Sequence, residues 1–280
     1  MKVRFIISSC FLISFFSVQS QEGFSMHVNL KTEPTDKIDF TENNIAVSFD
    51  KKIGPKNKIT HTIEYSNLKV NYEITAADAI KNLNQFTNIQ YRFKILSELL
   101  NTTKLNLTLT PTVNFQSHIN KDDLSILGSL EINQQLNSKA TINIGVARAT
   151  FLGNAKILPT LSLKYKINNE AIVLIGFPNS AISYSNNIRN QFTLSNSFNG
   201  NYYQLDRSNM LNSDGAQVTL SQITSAFEYE RNVDKNWFLN FKAGYDLDKK
   251  YSITDHDDNK LYDFNTGNGY VLGIGIKYKQ

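Results

Sequence analysis

The segment Asp255-His256-Asp257-Asp258-Asn259 is the sequence's most suggestive cluster of oxygen ligands. Asp255, Asp257 and Asn259, at alternate positions, match the opening of a calcium loop, where hard oxygen donors surround a hard cation. The rest of that loop is missing. Lys260 occupies the sharp-turn glycine position, and Thr266 stands where a bidentate glutamate would complete the shell. A solvated acidic loop is the simpler reading, and no metal site is assigned.

The four histidines are His27, His61, His118 and His256. A hydrolase acting on lipid would need one of them within hydrogen-bond reach of a serine. Ser117 and His118 are sequence neighbours, so in a strand they would point to opposite faces. His61, between Thr60 and Thr62, has the same problem, and a cross-strand partner is left open. Gly273-x-Gly275 lacks the following helix that a phosphate-cradling loop requires, because the chain ends there. Small residues facing a crowded lumen, or a strand bend, account for it better. Asn101-Thr102-Thr103 and Asn106-Leu107-Thr108 match the glycosylation sequon, but the second lies in a strand and neither implies glycosylation in a bacterium. No catalytic, cofactor-binding or metal-ligating residue is therefore named, and no cofactor is expected.

Strands are the elements that would have to position any such chemistry. In Leu105–Phe115, residues 105, 107, 109, 111, 113 and 115 are Leu, Leu, Leu, Pro, Val and Phe, and the alternate residues are Asn or Thr. This period of two sends successive side chains to opposite sides of a sheet. The same alternation runs through residues 89–95, 142–146, 161–167 and 237–247. It is cleanest at the C-terminus, where Tyr270, Leu272, Ile274, Ile276 and Tyr278 oppose Gly269, Val271, Gly273, Gly275, Lys277 and Lys279. Several runs exceed the five or six residues usual in soluble sheets and reach the ~9–11 that a tilted strand needs to cross a bilayer. Their polar faces are rich in Asn, Thr, Ser and Gly, which fill a wet lumen at little cost. Trp237, Tyr165, Tyr245, Tyr270 and Tyr278 are placed as interfacial girdles would use them.

Residues 1–20 have the layout of a secretory signal: Lys2 and Arg4, an apolar run from Phe5 to Phe16, then Val18-Gln19-Ser20 before the expected cut. Cleavage would also remove Cys10, the only cysteine, leaving 27 basic against 25 acidic side chains. A net charge of +2 is far from that of a nucleic-acid binder, and disulfide stapling is excluded. The longest later apolar run, Ala171–Phe177, is too short to span a bilayer as a helix. A helical candidate, "TAADAIKNL" from Thr75, is assigned to a loop.

Short connectors at Asn137-Ser138, Asn168-Asn169 and Asn232–Lys235 alternate with longer ones near residues 151–156, 207–215 and 248–268. That asymmetry is typical of outer-membrane barrels, with tight periplasmic turns and longer outside loops. Pro178 in "GFPNSAISYSNN" interrupts the ladder, so the pieces around it count as one strand or two.

The segments "LTPTV", "ILGSL", "INIGVARATFLGNAKILPTLSLKY", "IGFPNSAISY" and "FNGNYYQL" resemble a family of outer-membrane β-barrel proteins from Bacteroidota. That family has no assigned activity, so no site residue carries over. The resemblance covers about 100 residues in the middle of the chain. The last strand also resembles the signal read by barrel-insertion machinery, with Gly273, Ile276 and Tyr278 matching, although Val271 and the Lys279-Gln280 end depart from it.

The expectation is an all-β, antiparallel, up-and-down transmembrane β-barrel of about 12 strands (range 10–14) over residues 21–280. It would lie in the outer membrane, with outer-membrane lipid and the insertion machinery as partners, no nucleic acid, and no enzymatic activity. Its role would be a narrow pore or a structural surface protein. The alternatives are a barrel enzyme acting on lipid and a soluble periplasmic barrel that binds a ligand, with an apolar interior. A single-cysteine scan of residues 105–110 in the mature chain decides the orientation. Even positions are expected to react with a water-soluble maleimide, and odd positions only with a lipid-soluble reagent; the opposite pattern would reject a membrane barrel.

Overall fold

The computed structural model describes residues 23–72, 83–206, 217–255 and 257–280. The expected signal peptide lies outside these residues, as do Thr75–Asn82 of the helical candidate. Among the described residues fifteen strands follow one another: β1 (Gly23–Pro34), β2 (Ile38–Ile53), β3 (Asn57–Tyr72), β4 (Gln85–Leu100), β5 (Thr103–Phe115), β6 (Leu124–Gln135), β7 (Ala140–Ala149) and β8 (Lys156–Lys166). The remainder are β9 (Ala171–Phe177), β10 (Asn179–Asn187), β11 (Asn190–Gln204), β12 (Gln217–Asp234), β13 (Trp237–Thr254), β14 (Lys260–Asp263) and β15 (Gly269–Lys279).

Each strand from β1 to β13 pairs antiparallel with its chain neighbour, and β15 pairs with both β13 and β1. The result is a closed barrel of 14 strands, with β14 as an extra strand on the outer end of β13. Fourteen is the top of the expected range and two above its central value. One reason is that β9 and β10 are separate strands on either side of Pro178.

Gly23 and Gln280 share one end of the barrel with the tight turns. Asn137, Asn168 and Asn187 make these turns by accepting backbone N–H bonds two and three residues on, at 2.7–2.9 Å. An asparagine amide suits this because its carbonyl mimics a backbone acceptor. Most of the longer connections gather at the other end, here called the loop end.

The alternation has the expected sense. Along β5 the odd residues face outward and the even ones inward: Leu109 is 46% exposed, whereas Thr112 and Asn114 are at most 1% exposed. Leu130, Ile144, Leu161 and Ile274 add to the apolar exterior. A soluble barrel would have the opposite arrangement. Aromatic rings border the band. Trp237 packs on Tyr278 at 5.1 Å near the turn end, and Tyr245 packs on Tyr270 at 5.4 Å toward the loop end. Tyr270 and Tyr278 lie ~27 Å apart along the strand, or ~20 Å along the axis at a ~40° tilt, close to the ~25 Å lipid band of such barrels.

Beyond that band the pattern inverts. On β2 and β3 the inward residues become Ile38, Phe40, Leu68 and Val70, all at most 3% exposed, while Asn43, Lys69 and Asn71 face water. A bulge brings β13 into the same arrangement. Asp248 adopts a left-handed conformation (φ 50°), and one extra residue there places both Asp246 and Lys249 inward. Tyr251 and Ile253 then point into the barrel. The expected 248–268 loop is accordingly shorter, since β13 continues to Thr254 and β14 occupies part of the remainder.

These residues form one apolar core at the loop end with Phe86, Tyr203, Val218 and Phe264. Phe86 of β4 stacks on Tyr203 of β11 at 4.9 Å, although these strands lie on opposite walls of the ring. Phe115 of β5 forms a parallel bridge with Gln204 of β11. A barrel of this size lies between the filled and open-channel classes, and here its opposite walls meet.

Beneath the core, Lys249 (fully buried) bonds Glu33 at 2.6 Å and Asp246 at 3.0 Å, and Lys31 reaches Glu33 at 2.8 Å. Gln222 and Thr224 donate to the two carboxylates, and the Lys249 ammonium lies 4.4 Å from the Phe40 ring centroid. Removing one partner of such a buried network leaves an uncompensated charge, at a cost of roughly 3–5 kcal/mol. Lys249→Met is therefore expected to lower the urea midpoint at which the compact gel form is lost, and adding Glu33→Gln to recover part of that loss. An unchanged midpoint for Lys249→Met would show that the network contributes nothing.

Candidate functional site

Inward residues divide the lumen into two unlike walls. From β12 through β13, β15, β1, β2 and β3 to β4, the wall is charged. Cross-strand register sets Glu42, Lys31, Gly273, Lys242 and Glu228 side by side on five neighbouring strands. The order of charge is minus, plus, gap, plus, minus. Lys31 bonds Glu42 at 2.8 Å and Lys242 bonds Glu228 at 2.9 Å. The next row toward the turn end holds Asn44, Asn29, Gly275, Asn240 and Glu230, the last paired with Lys277 at 3.1 Å. A Cβ on Gly275 would meet the Asn29 amide oxygen, the movable end of a side chain, and one on Gly273 would press on the Lys242 Cβ. Arg92 and Glu64 add a looser pair at 3.5 Å.

The other wall, β5 to β11, presents mainly neutral groups, among them Thr108, Thr110, Ser129, Asn179 and Asn199. Two adjoining cavities occupy the space between the walls. One of about 490 Å³ lies over Gly273 and Gly275. The other, about 540 Å³, shares Lys31, Glu42 and Glu64 with it and reaches Thr150, Phe151 and Asn179 at the rim. That rim is low because β9 and β10 are the short strands of the ring. The β7–β8 connection crosses there, with the Thr150 hydroxyl donating to the Gly200 carbonyl at 2.8 Å and Phe151 packing on Phe177 at 6.2 Å.

The residues singled out from the sequence have varied fates. The Asp255 carboxylate accepts the backbone N–H of Asp257 and Asn259 at 2.9 and 2.8 Å and the Asn259 side chain at 3.0 Å. It serves to shape its own loop, and no cluster of three or more potential metal ligands occurs among the described residues. His256 lies outside those residues. His61 faces outward against Tyr91, 2.6 Å from its hydroxyl, while Thr60 and Thr62 face inward. His27 lines the glycine-floored cavity.

Ser117 and His118 require a correction. They do not point apart, because β5 ends at Phe115 and the pleat no longer applies. The Ser117 hydroxyl donates to Asp206, and His118 Nδ1 lies 3.2 Å from Ser117 Oγ and 3.3 Å from Asp206 Oδ2. A catalytic histidine uses one ring nitrogen for the serine and the other for the carboxylate. Here serine and carboxylate meet the same nitrogen, so the cluster clasps β5 to β11. The Asp206 N–H donates to Gln116 at 3.2 Å in the same clasp. Register sets the charged wall, the meeting of β5 and β11 across the barrel sets the clasp, and no sequence pattern marks either.

A family model described as Domain of unknown function (DUF6268) matches residues 18–279. No curated protein matches the chain. Solved structures similar to it include an outer membrane channel from Pseudomonas putida F1, with 10% identity over 92% of this chain and 95% of that one at a TM-score of 0.49. The P. putida toluene transporter TodX has 8% identity, coverage of 94% and 91%, and a TM-score of 0.47. The KdgM porin has 7% identity, coverage of 90% and 98%, and a TM-score of 0.41.

Asp123, in the β5–β6 connection beside this clasp, is 3% exposed. Burial pushes its carboxyl up to about 6, and Asp206 and Asp122 push the same way against a hydrogen bond from the Asn120 N–H. A carboxyl raised in the folded state favours the protonated form. Its contribution to stability is therefore present near pH 4 and is lost as pH rises through about 6. Hydrogen exchange of residues 117–123, corrected for intrinsic rates, is expected to be slower at pH 5 than at pH 7.5. Asp123→Asn is expected to abolish that difference; a difference that persists in the variant would assign the effect to another group.

Proposed function

The chain belongs to the family described as a domain of unknown function (DUF6268), and we propose that it is an outer-membrane β-barrel serving as a narrow pore for small hydrophilic solutes. The observation that carries this reading is the pair of adjoining cavities that lie against the charged wall and reach the low rim at Phe151. The apolar exterior supports a lipid environment, since exposed apolar surface of this extent is costly in water. The path avoids the apolar core, which fills the loop end between β2, β3, β4, β11, β12 and β13, and runs on the β5–β11 side.

In this reading residues 1–20 direct export and are removed after Ser20, and β15 is the strand handed to the insertion machinery. The tight turns face the periplasm and the loop end faces outward. The Ser117–His118–Asp206 geometry argues against the enzymatic alternative. A structural surface role is the second reading, favoured by the packed apolar core that stiffens the loop end.

Planar-bilayer recording on the refolded mature protein tests the pore. Small, discrete conductance steps are expected, and Phe151→Ala is expected to enlarge them, whereas Tyr251→Ala in the apolar core leaves them unchanged. Silence from both the wild type and Phe151→Ala, with folding confirmed by gel mobility, would favour the structural role.

A further inference from the structure

On the charged wall every ionised group that lines the two cavities is already committed. Lys31 holds Glu33 and Glu42, Arg92 holds Glu64, Lys242 holds Glu228, and Lys277 holds Glu230. The uncommitted groups are neutral. Asn29, Gln90 and Asn240 line the cavities and make no side-chain hydrogen bond within the described residues, and Thr108 is in the same position. Gln222 is 5% exposed and lines the larger cavity, and its Oε1 has no partner while its Nε2 donates to Glu33.

On this wall a charged solute would have to displace a carboxylate or an ammonium from an existing pair; Arg148, which also lines the larger cavity, gives its guanidinium to the Ile126 carbonyl. A neutral solute need only meet free amides and hydroxyls. Each carboxamide offers a donor and an acceptor side by side, a spacing that suits two adjacent hydroxyls, which likewise both donate and accept. The two cavities, at about 490 and 540 Å³, fall within the range of roughly 300–1,000 Å³ usual for small-molecule sites. The glycine position between Lys31 and Lys242 adds no side chain of its own, and the smaller cavity lies over it.

We propose that this chamber is a binding site for an uncharged, polyhydroxylated solute, a small saccharide, held by the Asn29, Gln90, Asn240 and Gln222 amides. The inference rests on the reading of the lumen as a solute path. The ion pairs fix the wall and exclude charged analogues; the free amides select the solute.

The test uses the mature barrel folded in an amine-oxide detergent, whose headgroup is not a sugar, with folding confirmed by gel mobility. Glucose, glucuronate and glucosamine, which share one ring scaffold and differ in charge, are titrated and followed by saturation-transfer NMR. Saturable glucose binding is expected, with both charged sugars weaker by about threefold or more, since each must disrupt a pair. The Gln90→Ala and Asn240→Ala double variant is expected to weaken glucose binding about tenfold, the effect of losing two modest hydrogen bonds. Thr108→Val serves as an independent, volume-conserving probe and is expected to weaken it less. No saturable glucose binding by a correctly folded barrel, or tighter binding of either charged sugar, would overturn the proposal. Binding in micelles needs no conduction. Glucose binding without conductance would thus reject the pore and keep the site, and conductance without binding would do the reverse.

Discussion

In the membrane setting proposed for this barrel a sheet has nowhere outside itself to place its backbone hydrogen bonds, and closure is the constraint from which the rest of this structure follows. Unsatisfied N–H and C=O groups cost several kcal/mol each in lipid, so the first and last strands must meet. β15 supplies that seam by pairing with β1 from Thr32↔Leu272 to Ser25↔Lys279 and with β13 on its other side. Both edges of β15 are thereby occupied, as are those of every strand in the ring. The seam also sets the register of the neighbouring strands, and register determines which side chains share a row in the lumen. The charge order Glu42, Lys31, Gly273, Lys242, Glu228 is therefore a consequence of closure as much as of composition.

Strands longer than the bilayer must face two environments in succession. β13 runs for 18 residues, well beyond what a crossing requires. In the proposed setting, apolar side chains go outward where lipid surrounds the strand and inward where water does. β2 and β3 make the change by sequence alone, replacing Ala46, Asn44 and Ser66 on the inner face with Phe40, Ile38, Leu68 and Val70. β13 makes it with one added residue at Asp248, which shifts the parity of everything beyond it. The same barrel is thus apolar outside along its middle and apolar inside at its loop end. The core there draws opposite walls together, which a uniformly polar lumen would not do.

The strands, their facing and the two ends of the barrel were legible in the sequence because they depend only on a period of two and on turn chemistry. Leu105–Phe115 shows this: every odd residue points where the alternation places it. Strand number was less legible, since Pro178 hid the boundary between two short strands. The inversion was harder still. Beyond Leu247 the alternation of β13 breaks in the sequence, because it has slipped by one residue. Ser117, His118 and Asp206 could not be joined from sequence, because 88 residues separate the histidine from the carboxylate and the strand argument assumed a pleat that stops at Phe115. The charged wall was missed for a related reason: Asn, Thr and Ser dominate the polar faces by number, but cross-strand neighbours decide where the few charges gather.

The Lys249 network lies where the two regimes of the barrel meet. Above it Phe40 and Tyr251 close the apolar core, and below it the polar lumen begins. An ion cluster out of water is costly unless every charge is paired, and here two carboxylates, two lysines, Gln222 and Thr224 supply the pairing. A purely apolar layer at this level would let the core extend downward and close the chamber. A loosely paired one would let water rise into the core. Full pairing resists both, because moving the boundary in either direction would leave a buried charge without its partner. The network therefore fixes the height at which the apolar core stops, and with it the ceiling of the polar chamber beneath.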